Sequence, residues 1–255
     1  MLTDSDRERL KSEFGADDSQ VERDHLISRL LAELSREMQS LLKFYGGTAL
    51  SRSYLQKGRL SEDVDLIAVG PRTEIAQQVM RVLTLGLARE FGRPTFTPAL
   101  DQVRGVTPVV MRVPSGPQLQ LQLLPDDHYP AWPFHLVALP SRYSDCEPAE
   151  LSIPTRDAFV AWKSSSFMDR RASRDLWDLA TLAELDAFTP EAARLFTRFG
   201  PLSNLPSDST IPEAPDQTRW ERDLAHQTRL MITAEEARTR VVGAWSKLDG
   251  EKLDR

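Results

Sequence analysis

The apolar positions of the chain fall at two spacings, and the alternation between them predicts the elements. Leu26, Leu30, Leu34, Met38 and Leu42 recur every four residues, with Ile27, Leu31 and Leu41 beside them. That spacing predicts an amphipathic helix against a core, opened by an N-cap at Asp18 or Ser19. The polar residues before it, 1–19, read as a short helix or a frayed arm. Residues 41–45 read as a short strand entering a glycine turn, and residues 49–55 as a small helix with Leu50 and Tyr54 inward. Asp63-Val64-Asp65-Leu66-Ile67 alternates acid and apolar before running apolar, as a strand entering a core does. A helix is predicted over 73–91, capped by Thr73, with Ile75, Val79, Val82, Leu83 and Leu87 on one side. Residues 95–124 read as β, with Pro114-Ser115-Gly116-Pro117 as a hairpin turn.

Residues 125–153 are rich in proline, aromatics and acids. They read as an ordered linker in which Tyr129, Trp132 and Phe134 need a surface to pack on. From Thr155 the pattern is helical. Ala158, Phe159, Trp162 and Phe167 anchor one helix, and Leu176, Leu179, Leu182 and Leu185 a second. Further helices are expected over 190–199, 216–231 and 233–248, the last two capped by Asp216 and Thr233. The expected architecture is α/β (α+β) and bilobed: a mixed sheet with helices over 1–150, then a helical lobe over 151–255.

Composition narrows the class. The chain has 255 residues, 40% of them hydrophobic and 27% charged, as in ordinary globular proteins. No apolar run approaches the ~18 residues that cross a membrane, and the charged N-terminus lacks the apolar segment of a signal peptide, so a cytoplasmic protein is expected. The lone Cys146 excludes an internal disulfide and fits a reducing compartment; among Ser144, Asp145, Glu147 and Pro148 it reads as a loop residue. A net charge of −6 argues against a nucleic-acid coat protein but leaves room for a local basic face. Arg219, Arg222, Arg229, Arg238, Arg240 and Lys247 have acids between them and read as a solvated face. His25 reads as a surface or packing histidine, since no second histidine or cysteine stands at metal spacing nearby.

The candidate chemistry lies between residues 43 and 69. On a strand Asp63 and Asp65 project together. Two neighbouring carboxylates repel, and a divalent cation relieves them; oxygen ligands suit Mg²⁺. Upstream, Gly46-Gly47-Thr48 turns into a helix whose free N–H groups favour a phosphate. Gly46, Gly47, Thr48 and Ser51 are therefore candidates to position a metal-bound nucleoside triphosphate. Arg59 either touches phosphate or pairs with Glu62. Either motif alone is weak; the two in this order are much more specific.

Gly46-Gly47-Thr48-Ala49-Leu50-Ser51 followed by Arg59-Leu60-Ser61-Glu62-Asp63-Val64-Asp65-Leu66 resembles the AbiEii/AbiGii family of nucleotidyltransferase-like toxins, which includes the MenT toxins and belongs to the DNA polymerase β-like superfamily. A second piece of the resemblance is the helix carrying Lys163, then Arg174-Asp175-Leu176-Trp177-Asp178-Leu179. The resemblance implies that Lys163 and Asp175 line the active site and that Ser61 matters for activity. It implies transfer of a nucleoside monophosphate from an NTP, with Mg²⁺, to the 3′ end of tRNA, growth arrest, and an antitoxin encoded nearby; a monomer is expected. The residues themselves leave Arg171–Asp175 and Arg174–Asp178 open as ordinary i,i+4 pairs.

One departure stands out. The superfamily carries a third carboxylate on a later strand, but Gln118-Leu119-Gln120-Leu121-Gln122-Leu123-Leu124 offers Gln120 and Gln122 there, with Asp126 and Asp127 beyond. Two other functions therefore stay open: modification of a protein hydroxyl, its own or an antitoxin's, and nucleotide or RNA binding without catalysis.

Overall fold

A computed structural model describes all residues except 105, 129, 130, 254 and 255, and leaves the side chains of 128 and 249–253 undescribed. Tyr129, expected to pack within the linker, lies outside the described residues. The chain divides into two compact units, residues 1–129 with 134–153, and residues 130–133 with 154–255.

The first unit opens with α1 (Asp4–Phe14) and α2 (Asp18–Met38). The α2 cap is Asp17, whose carboxylate accepts the Gln20 N–H at 2.8 Å, one residue before the predicted cap. Leu26, Ile27, Leu30, Leu31, Leu34 and Met38 are all buried along α2. The four-residue series overran the helix: Leu42 begins β1 (Leu42–Tyr45) after a single 3₁₀ turn. It is buried on the strand, so its place in the helical phase is coincidental.

Next come α3 (Gly46–Arg52), β2 (Asp63–Ala68), α4 (Arg72–Gly86), α5 (Ala88–Phe91), β3 (Thr95–Thr97), β4 (Val109–Arg112), β5 (Gln118–Pro125), β6 (Phe134–Leu139) and β7 (Ala149–Pro154). The single helix predicted over 73–91 is thus two helices, starting after Pro71 with no side-chain cap from Thr73. The break comes at Gly86, where helix propensity is poor. A Cβ there would meet the Glu33 carboxylate at 2.3 Å, so this glycine also lets α4 lie close to α2.

The seven strands form one sheet in the order β3-β4-β5-β2-β1-β7-β6. β2 runs antiparallel to β1 and parallel to β5; β1 runs parallel to β7. The sheet is mixed, and Val64, Leu66, Leu121 and Leu123 fill its buried face. The segment expected as a linker contributes β6 and β7 instead. β6 is an edge strand with His135, Leu136 and Ala138 exposed, so it lacks the apolar alternation that marks a half-buried strand.

The second unit is helical: α6 (Arg156–Arg170), α7 (Ser173–Glu184), α8 (Pro190–Phe199), α9 (Gln217–Leu224) and α10 (Ala234–Leu253). α7 packs on α6, α9 and α10, around buried Phe159, Phe167, Phe196, Trp220 and Trp245. Trp132 finds its surface here, stacked on Trp162 with centroids 5.6 Å apart and edge-on to Phe199. α9 stops at Leu224, short of the predicted 231, because Gln227 and Thr228 turn into the interior and their N–H groups bond the Leu224 carbonyl. Among the described residues no helix is long and apolar enough to cross a membrane.

Candidate functional site

β1 ends at Tyr45 and the chain turns directly into α3. Gly46 makes that turn with φ +78°, a conformation that costs other residues. It has a second reason to be glycine: a Cβ would lie 2.1 Å from Asp65 Oδ2. The turn and the acid pair are thus packed against each other. Asp63 and Asp65 are half-buried on one face of β2, while Val64 between them is fully buried.

The strand register fixes the surroundings of the pair. Tyr45 stands opposite Asp65, Gln120 opposite Asp63, and Gln122 opposite Asp65. The glutamines do occupy the strand face beside the acids. Gln122 is engaged at both ends: its carbonyl accepts from Tyr45 Oη at 2.8 Å, and its amide donates to the Val106 carbonyl. Gln120 is exposed beside Asp63. Asp126 and Asp127, which follow the strand in sequence, lie away from the pair. Ala68 pairs with Pro125, so they follow the far end of β5, about 16 Å along the strand from Asp63. Asp126 instead accepts from Lys43 at 2.6 Å. A cleft of about 190 Å³ opens beside Asp63, walled by Arg23, Glu62, Val110, Gln118 and Gln120.

Beneath the pair lies a buried chain of hydroxyls. The Thr48 hydroxyl donates to the Asp63 carbonyl. Ser51 Oγ donates to the Thr48 carbonyl at 3.1 Å and lies 3.4 Å from Ser61 Oγ. Arg59 Nη1 reaches Ser61 Oγ at 3.2 Å. Thr48, Ser51, Arg59 and Ser61 are each at most 3% exposed. The structure therefore places these four under the acid pair, tying α3 to the start of β2, rather than on an open phosphate-facing surface. Glu62, the alternative partner weighed for Arg59, accepts from Arg23 Nη1 at 2.9 Å. Ser61 lies two residues before the first residue of β2.

A buried charge cluster that the sequence did not announce anchors α3 from the other side. Asp24 of α2 is wholly buried. Its Oδ1 takes Arg52 Nη2 and Arg142 Nη1, each at 2.9 Å, and its Oδ2 takes Tyr143 Oη at 3.0 Å. Arg142 also donates to the Ser51 carbonyl at 2.8 Å. Burial lowers the affinity of the Arg52 guanidinium for its proton, Asp24 raises it, and Arg142 lowers it again. Burial and Asp24 hold the Tyr143 phenol far above its usual range. Residues 24, 52 and 142 share no local spacing, so only the fold reveals them.

The second unit carries its own cluster. Lys163 on α6 places Nζ 2.9 Å from Asp175 Oδ1 and 2.7 Å from Asp178 Oδ2, both on α7. Arg170 grips Asp175 with two bonds, Nε at 2.6 Å and Nη2 at 2.8 Å. Lys163, Asp175 and Asp178 are all buried. Burial by itself would raise the Asp175 carboxyl; Lys163 and Arg170 outweigh it and hold the carboxyl well below the usual range. Asp175 is thus bound by Lys163 and Arg170, two residues that helix spacing from Arg171 did not point to. Arg171 itself takes a left-handed conformation at the end of α6, where its carbonyl accepts from Arg219.

The residues around β2 fit a hard divalent cation. Asp63 and Asp65 lie on one face of β2 as candidate carboxylate ligands, Asp63 lining the cleft with Gln120 beside it.

The family model for the nucleotidyl transferase AbiEii toxin of type IV toxin–antitoxin systems matches residues 29–242. Among solved structures, MenT4, a nucleotidyltransferase toxin of Mycobacterium tuberculosis H37Rv, superposes with a TM-score of 0.71 at 21% identity, covering 98% of this chain and 90% of that one. This likeness shows a shared fold. An antigenic nucleotidyltransferase-like protein of Paracoccidioides brasiliensis gives a TM-score of 0.41 at 16% identity over 68% of this chain and 87% of its own. A search of curated protein sequences gave no match.

Proposed function

This chain belongs to the AbiEii family of nucleotidyl transferase toxins of type IV toxin–antitoxin systems, and from that premise we propose that it transfers a nucleoside monophosphate from an NTP to the 3′ end of tRNA. The observation that carries the reading is the packing of Gly46 against Asp65: the phosphate-side turn and the metal-side carboxylates form one rigid arrangement. In the reaction an acceptor hydroxyl oxygen bonds to the α-phosphorus, the bond from that phosphorus to the bridging oxygen breaks, pyrophosphate leaves, and the hydroxyl proton passes to solvent.

Asp63 and Asp65 would hold Mg²⁺, which would supply Lewis-acid polarisation of the α-phosphate. The remaining parts of the site act through position. Thr48 fixes the backbone of Asp63, and the Ser51–Ser61–Arg59 chain holds α3 against it. In this reading Thr48, Ser51, Ser61 and Arg59 are positioning residues, and Gly46 and Gly47 alone present backbone to the triphosphate. Lys163 is assigned to neutralise charge on the departing pyrophosphate. Its support is its own cluster, in which Nζ lies 2.9 Å from Asp175 Oδ1 and 2.7 Å from Asp178 Oδ2. The protein acts as a cytoplasmic monomer restrained by a cognate antitoxin.

The test is label transfer. The protein is incubated with Mg²⁺, each α-labelled NTP in turn and total tRNA, beside the Asp65→Ala variant. Label in RNA that the variant fails to transfer supports the reading and identifies the nucleotide. Label on protein moves the acceptor to a side chain. Folded protein that binds NTP and transfers nothing overturns catalysis, and makes the glutamines beside the acid pair the reason.

A further inference from the structure

A second set of donor atoms gathers in the first unit, away from the acid pair and on different elements. His25 on α2 is buried, with Nε2 3.0 Å from Asp145 Oδ2. Asp145 lies on the loop between β6 and β7. Its neighbour Cys146, also buried, sets Sγ 3.5 Å from Asp145 Oδ1. Ligand atoms of His25, Asp145 and Cys146 all fall within 4.8 Å of one another. Glu90 on α5 adds Oε1 at 4.0 Å from His25 Nε2, while Arg29 holds its other oxygen at 3.0 Å.

These separations can be set against a coordination sphere. Around tetrahedral Zn²⁺, bonds of roughly 2.0–2.1 Å to nitrogen or oxygen and about 2.3 Å to sulfur put the ligand atoms about 3.3–3.5 Å apart. The contacts of Asp145 with His25 at 3.0 Å and with Cys146 at 3.5 Å match that spacing, the three ligand atoms together lie within 4.8 Å, and Glu90 stands outside that set, 4.0 Å from His25 Nε2, so side-chain movements of about an ångström or more close the sphere. The donor set of imidazole, thiolate and carboxylate selects zinc-like ions and is foreign to Mg²⁺.

We propose that His25, Asp145, Cys146 and Glu90 form a structural Zn²⁺ site, separate from the oxygen-only pair at Asp63 and Asp65. Cys146 Sγ and His25 Nε2 bond to zinc, and any proton on either is released to water. Arg29 keeps its bonds to the outer oxygen of Glu90 and, at 2.8 Å, to the Asp145 carbonyl. The ion fixes the loop from which Arg142 and Tyr143 reach Asp24, so it secures the anchor of α3.

Chelator-treated protein titrated with Co²⁺ tests the site. One equivalent should bind with a thiolate-to-cobalt charge-transfer absorption, be displaced by Zn²⁺, and persist in Asp65→Ala. Cys146→Ser should abolish the absorption and weaken Zn²⁺ binding by at least about 100-fold, more than loss of an outer-shell partner does. Absence of the thiolate absorption, or Zn²⁺ affinity unchanged in Cys146→Ser, overturns the proposal. Should Cys146→Ser fail to fold, Glu90→Gln decides: weaker binding with the absorption retained supports the site, and unaltered binding overturns it.

Discussion

Replacing Gly46 by alanine probes the joint between the glycine turn and the acid pair. Two costs arise. The first is conformational: at φ +78° an alanine is strained by about 1–2 kcal/mol whatever surrounds it. The second is steric. The new Cβ would sit 2.1 Å from Asp65 Oδ2, so the carboxylate must move by about an ångström or the turn must open, an overpacking cost of roughly 1–3 kcal/mol. Only the second cost depends on Asp65, so a double-mutant cycle separates them. Gly46→Ala should destabilise the protein by roughly 2–5 kcal/mol in the native background and by only about 1–2 kcal/mol in the Asp65→Ala background. Denaturant melts of the four proteins give the coupling. Because a displacement of about 1 Å in a reacting group costs on the order of 100-fold in rate, Gly46→Ala should also lose at least that much transfer activity. Equal destabilisation in both backgrounds, with activity retained, would refute the idea that turn and carboxylate are built as one unit.

Other perturbations test the remaining parts. Lys163→Met removes the ammonium shared by Asp175 and Asp178, and stranding buried charge should cost about 3–5 kcal/mol in thermal or denaturant melts. Asp175 has a depressed pKa in the fold, so its stabilisation is complete above the unfolded carboxyl value of about 3.9 and is lost as pH falls below it. Melting temperature followed downward from pH 6 should therefore fall less steeply in Asp175→Asn than in the native protein. Gln120→Glu places a third carboxylate on the exposed position beside Asp63, and should lower the Mg²⁺ concentration for half-maximal nucleotide binding at least about tenfold. Thr233→Ala breaks a reciprocal cap in which Glu236 accepts the Thr233 N–H at 2.8 Å and Thr233 Oγ1 accepts the Glu236 N–H at 3.2 Å; a loss of about 1 kcal/mol is expected, with Thr233→Ser close to native.

Local pattern carried the sequence a long way where the physics is local. The alternation through Asp63, Val64 and Asp65 marked both the strand and its two faces, and the polar face of the 118–124 run was rightly placed beside the acids. Helix faces on α2 and α6 followed from spacing for the same reason. What failed was long-range. β6 was hidden because an edge strand with exposed His135, Leu136 and Ala138 has no inward-outward contrast to read, whereas β7 does alternate, with Ala149, Leu151 and Ile153 buried, and was passed over within the proline-rich run. The reach of Asp126 and Asp127 stayed open in the sequence because chain order does not reveal whether two strands run parallel; pairing of Ala68 with Pro125 puts them at the far end. Thr48, Ser51, Ser61 and Arg59 were recognised as members of the motif, but a motif does not distinguish a side chain that faces ligand from one that holds the backbone. Asp24, Arg52 and Arg142 carried no signal, since each looks like a surface charge until the three meet.

That meeting also sets an order of events during synthesis. The acid pair leaves the ribosome long before Arg142, yet Arg142 joins Asp24 to the Ser51 carbonyl at the end of α3. A nascent chain that stops short of that arginine already contains the glycine turn and both aspartates. It has Arg52 on Asp24 but lacks the second arginine that joins Asp24 to the Ser51 carbonyl, and β1 lacks its parallel neighbour β7. The machinery is therefore written early in the chain and made rigid late.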